Sequence, residues 1–70
     1  MTLREYRAYL GWSAAELARR AGLDAQTVRR VESGEPAFLH TVGAIATALS
    51  KELGRTVKIE DIDGVNIIDR

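Results

Sequence analysis

The stretch Gly11–Gly34, GWSAAELARRAGLDAQTVRRVESG, decides the reading of this chain. It reads as two short helices joined by a three-residue turn around a glycine, with a second glycine closing the unit. Ser13 and Glu16 have the S-x-x-E spacing of a capping box, in which each side chain satisfies a free N–H at the start of one helix. Trp12 before that cap and Leu17 within the helix have the spacing of a hydrophobic staple. Gly22 suits the left-handed position that ends a helix. Asp24 then caps a second helix, with Leu23 and Val28 placed to staple it in the same way.

Two helices joined this tightly, over residues 13–33, have the geometry of a helix-turn-helix, whose second helix can lie in a DNA major groove. Outward from this unit, the spacing predicts a helix over Thr2–Leu10, with Leu3, Tyr6 and Leu10 inward and Gly11 ending it. The two central helices run Ala14–Ala21 and Ala25–Ser33, burying Leu17, Ala18, Ala21, Val28 and Val31. Pro36 breaks the chain. A fourth helix is expected from roughly Thr41 to Leu53, burying Val42, Ile45, Ala46 and Leu49, with Gly54 as its stop. Residues 55–70 read either as a fifth helix or as an extended tail. Ile59 and Ile62 have helical spacing, whereas Val57–Ile59 and Val65–Ile67 alternate as in a strand.

Seventy residues make one domain, 1–70, with a modest stability margin. No cysteine is present, which excludes disulfides and thiolate metal sites. No apolar run approaches membrane-spanning length, and MTLREYRAYLG has no signal-peptide pattern, so the expected setting is the cytoplasm, in association with the nucleoid. Net charge is zero, yet unevenly placed. The first 34 residues carry six arginines against four acids, a balance of +2, and the remainder carries −2. Arginine suits forked contacts with phosphates and guanine edges. The plainer reading of the same charges is a solvated helix surface.

Several motifs together resemble one family: Gly11-Trp12-Ser13, Glu16-Leu17-Ala18, Ala21-Gly22-Leu23, Val28, Val31-Glu32-Ser33-Gly34 and Ile45-Ala46-Thr47-Ala48-Leu49. They look like the phage-repressor (Cro/cI, Xre-type) helix-turn-helix family, ungapped from about Leu3 to Leu49. That resemblance implies an all-α, compact four- to five-helix lambda-repressor-like domain that binds double-stranded DNA as a homodimer on a palindromic operator. It also implies a structural ion pair between Arg7 and Glu32, both bordering the core.

The resemblance places DNA base contacts at Ala25, Gln26, Thr27 and Arg30. Helical spacing agrees, because Gln26 and Arg30 share a face opposite Val28 and Val31. Glutamine can take adenine N6/N7 and arginine guanine O6/N7, each with two hydrogen bonds, while Ala25 and the Thr27 methyl suit a thymine methyl. Phosphate contacts are expected from Ser13 and the N–H groups behind it. Arg29 along the groove wall, Ser33 with the Gly34 N–H, and His40 complete the set. The competing reading makes these residues an ordinary polar surface, and His40 a capping group.

This chain departs from the family at two places. Ala14 stands where the family favours a phosphate-binding glutamine, and Glu35-Pro36-Ala37-Phe38 replaces a commonly basic loop. Phe38 is read as loop core rather than as an exposed partner contact. The zero net charge and these departures favour an alternative, a protein-interaction module of the same fold, antitoxin-like or an adaptor. An enzyme is not expected: one histidine and no cysteine assemble neither a metal cluster nor a nucleophile–base set, and no cofactor is implied. Asp61-x-Asp63-Gly64 only superficially resembles a calcium loop, and with Glu60 it reads as a solvated acidic face. The apolar tail residues Val57, Ile59, Ile62, Val65, Ile67 and Ile68 are expected to help form a two-fold subunit interface.

Overall fold

Each of the first three helices starts where a short polar side chain can take up a free N–H. In the computed structural model, which describes residues 1–68, α1 spans Leu3–Leu10, α2 Ala14–Ala21 and α3 Ala25–Glu32. Thr2 Oγ1 accepts from Glu5 N at 3.1 Å, and the Glu5 carboxylate accepts from Thr2 N at 2.7 Å, a complete capping box. Ser13 Oγ accepts from Glu16 N, and an Asp24 carboxylate oxygen from Thr27 N. The expected box at Ser13 is only half made. Its Glu16 carboxylate turns instead to Arg19 and Arg20, two arginines within reach on the same helix.

All three helices end alike. After α2, Gly22 adopts φ +74°, its N–H donates to Arg19 O, and Leu23 N donates to Ala18 O. After α3, Gly34 N donates to Val31 O and Glu35 N to Arg30 O. This double bond pattern satisfies terminal carbonyls and turns the chain sharply, which is what joins α2 to α3.

The fourth helix, α4, spans Leu39–Leu53, two residues earlier than expected. Phe38 precedes it in extended conformation and makes no side-chain cap, so no capping residue marks this start in the sequence. The core is built from Leu3, Tyr6, Leu17, Ala18, Val28, Val31, Val42, Ile45, Ala46 and Leu49, all buried, with Trp12 and Leu23 packed against it as the staple spacing predicts.

The tail corrects the all-α expectation. No fifth helix forms in its described part. A single 3-10 turn at Ile59–Asp61 is followed by strand β2, Asn66–Ile68, which pairs in parallel with β1, Pro36–Phe38. The register is Pro36 with Asn66, Ala37 with Ile67 and Phe38 with Ile68. The 3-10 turn at Ile59–Asp61 puts Ile59 and Ile62 on one inward side, as their i, i+3 spacing suggests, and the alternation at Val65–Ile67 continues into a strand.

The tail also packs on its own domain. Val57 and Ile62 are in the core, Ile59 and Val65 pack against it, and Ile67 and Ile68 are half-buried. Two of the six apolar tail residues, Val57 and Ile62, are thus taken up by the chain's own core, and the other four keep part of their surface in reach of solvent. Asp61 and Asp63 are likewise engaged. Asp61 accepts from Lys58 N at 2.9 Å, and Asp63 pairs with the Met1 ammonium at 3.1 Å while its N–H donates to Met1 O. Asp69 and Arg70, which contribute to the −2 balance and to the 55–70 tail, lie outside the described residues.

Candidate nucleic-acid interface

Packing gives α3 two unlike faces. Val28 and Val31 are buried in the core, where α3 packs on α2, while Gln26, Arg29 and Arg30 are exposed and Ala25 and Thr27 partly so. The four expected base-contact positions thus lie together on the first turns of one helix, with only α3 between them and the core. The carboxyl of Asp24 at the head of this helix is held below the usual carboxylate range. The main cause is the hydrogen bond from Thr27 N, followed by the Thr27 side chain and the charge of Arg30. A charged cap of this kind fixes where α3 begins and so where Gln26 points.

The expected phosphate-contact residues differ in what they have left to offer. Ser13 Oγ uses an acceptor lone pair as the cap of α2 and keeps its hydroxyl hydrogen. Ser33 does not: its hydroxyl donates to Arg29 O at 3.0 Å and sits 3.2 Å from Arg30 O, and the Gly34 N–H is bonded to Val31 O. Both donors expected after α3 therefore close the helix. Ala14 is buried and brings no side-chain donor. Arg29 and His40 are exposed, and the His40 ring stacks on Phe38, with centroids 5.6 Å apart and planes 8° from parallel.

Phe38 is 42% exposed, not loop core. Pairing of β1 with β2 holds it outward, because Ala37 takes the inward position between Pro36 and Phe38. A groove of about 260 Å³ results, with Thr27 and Arg30 on the α3 side and Pro36, Phe38 and Thr41 on the other.

The scaffold behind α3 is tied by charge. Arg7 grips Glu32 through two hydrogen bonds, Nε to Oε2 and Nη2 to Oε1 (the latter 3.0 Å), and its Nη1 donates to Trp12 O at 3.1 Å. Their side chains are 19% and 13% exposed, so the pair joins α1, α3 and the start of the turn to α2 largely away from water. The hydrogen bond to Glu32 raises the Arg7 pKa above its ordinary value against the opposing effect of burial. Two further residues carry more of the frame than their sequence positions announce. Arg20 bonds Glu16 at 2.6 Å and Glu52 at 3.3 Å with its guanidinium carbon 4.5 Å from the Trp12 ring centre, bridging α2 and α4. The i, i+4 spacing of Glu16 and Arg20 signals half of this arrangement. Ser50 Oγ accepts from Val57 N and donates to Ala46 O, both at 2.8 Å, and so pins the tail to α4. No local pattern signals that bond.

Among the described residues no helix is long and apolar enough to cross a membrane, and no group of three or more histidine or acidic side chains is placed to hold a metal ion. In comparisons with known proteins, a family model described as a helix-turn-helix domain matches residues 1–50. No curated protein and no solved structure matches. The matched span takes in α1 to α3 and most of α4, and a helix-turn-helix domain suggests DNA as a partner. The chain belongs to the helix-turn-helix domain family.

Proposed function

We propose that this chain is a sequence-specific regulator of the phage-repressor (Cro/cI, Xre) type, which binds double-stranded DNA as a dimer on a palindromic operator and represses transcription. In this reading α3 lies in the major groove. Gln26 and Arg30 take base edges, Ala25 and Thr27 take apolar contacts, and Ser13, Arg29 and His40 hold the backbone. The protein acts by binding alone, without catalysis or cofactor, in the cytoplasm on nucleoid DNA.

The observation that carries the reading is the division of α3, with Val28 and Val31 buried and Gln26, Arg29 and Arg30 exposed on a rigidly braced helix. Two copies on one duplex would set their α3 helices about 34 Å apart, one turn of DNA. With Val57 and Ile62 committed to their own core, the dimer forms on DNA through other surfaces.

One observation favours the rival protein-binding role: Ser33 and Gly34 donors are engaged and Glu35 adds a carboxylate beside them, which leaves fewer phosphate contacts. Selection of bound sequences from a random duplex pool decides between the two. The DNA reading expects an enriched sequence with two-fold symmetry; a pool that stays random after repeated rounds favours protein binding.

A further inference from the structure

Resting on the DNA reading above, we infer that the groove between α3 and the β1–α4 junction takes the 5-methyl group of a thymine, with Phe38 as its apolar wall. The groove is continuous with the base-reading face, since Thr27 and Arg30 line it from α3. Its other side, Pro36, Phe38 and Thr41, is mostly apolar. The loop wall Glu35-Pro36-Ala37-Phe38-Leu39 contains a carboxylate and no cation, and the one cation lining the groove, Arg30, is committed to a base edge in the reading above, so the wall offers a phosphate no partner. Among the base edges of the major groove, the apolar group on offer is the thymine methyl.

The wall is also held in place before any DNA arrives. Pairing of Phe38 with Ile68 fixes its backbone, and stacking on His40 at 5.6 Å fixes its ring. A side chain ordered in advance loses little freedom on binding. The tail thereby gains a role: β2 braces the strand that presents Phe38.

The test uses the full chain and the duplex enriched from the random pool. Each thymine is replaced in turn by deoxyuridine, which removes the methyl and leaves the hydrogen-bonding groups intact, and affinity is read by fluorescence anisotropy. Besides any thymine met by Ala25 or Thr27, one thymine per half-site should weaken binding about fourfold when replaced, the worth of one buried carbon group. Phe38→Ala should bind the thymine and deoxyuridine duplexes equally, and Phe38→Leu should restore part of the difference. Thermal melts of both variants should match the parent, since Phe38 is exposed. An unchanged thymine preference in Phe38→Ala overturns the inference, as does a parent that tolerates deoxyuridine everywhere. An equal loss on every duplex overturns it too, by assigning Phe38 to a sugar. A pool with no enriched duplex defeats the DNA reading itself, and this inference with it.

Discussion

Between Thr2 and Gly34, every helix begins at a side-chain cap three residues from its partner and ends on a glycine that turns the chain. Between Arg55 and Ile68 one local turn, where Asp61 accepts from Lys58 N, is joined by bonds that reach back to other elements: Val57 to Ser50 on α4, Asp63 to Met1, and residues 66–68 to residues 36–38. The first region is specified locally and the second by what it docks against. Local specification suits a helix that must present one face at a set angle, because caps and turns fix that angle without waiting for the rest of the domain. A docked tail instead ties together distant parts, here the N-terminus, α4 and the strand beside α3.

This contrast is sharpest where the tail enters the core. Ile62→Ala should cost about 2–4 kcal/mol, the range for truncating a buried isoleucine, and the whole chain should still melt in one transition. Urea titration followed by circular dichroism measures both. A loss under about 0.5 kcal/mol, the ordinary surface effect, would mean that the tail is an appendage rather than part of the core.

Glu32→Ala attacks the frame of the locally specified half and should cost about 2–3 kcal/mol. That is less than the ~3–5 expected for a fully buried pair, since both side chains keep some water contact. The same titration reads it, and a variant within a few tenths of the parent would show that Arg7 finds equivalent partners without Glu32.

A smaller effect follows from the cap of α3. Because the Asp24 pKa is lowered on folding, its contribution to stability is present above the ordinary carboxylate range, about pH 4, and is lost as pH falls through the lower folded value. Asp24→Asn keeps a capping oxygen but removes the titration. It should lose less stability than the parent between about pH 5 and pH 2. Parallel acid profiles for the two proteins would remove Asp24 from the acid response.

How much of this was legible in the sequence follows the same division. Ser13, Asp24, Gly11, Gly22 and Gly54 announce helix ends because caps and left-handed glycines act within a few residues, whereas Thr2, read as the first helical residue, is the cap of α1. The start of α4 was misplaced because Phe38 offers no cap. The strand pair was out of reach, since nothing near Pro36 signals a partner thirty residues away. On α3, helical spacing placed Gln26 and Arg30 on a face away from Val28 and Val31, and the structure has both exposed. The same reasoning misjudged Phe38, whose exposure depends on β2, and could not show that Ser33 and Gly34 already have acceptors.

The central claim, that the outer face of α3 reads base pairs, is tested most directly by the affinity of the parent and of Arg30→Ala at one salt concentration. Each should be titrated against the selected duplex and against a scrambled duplex of equal length. The account predicts a loss of about 1–3 kcal/mol on the selected duplex, a much smaller loss on the scrambled one, and relaxed preference at one base pair per half-site. Equal losses on both duplexes would contradict it, placing Arg30 on a phosphate and leaving the exposed face of α3 without its reader.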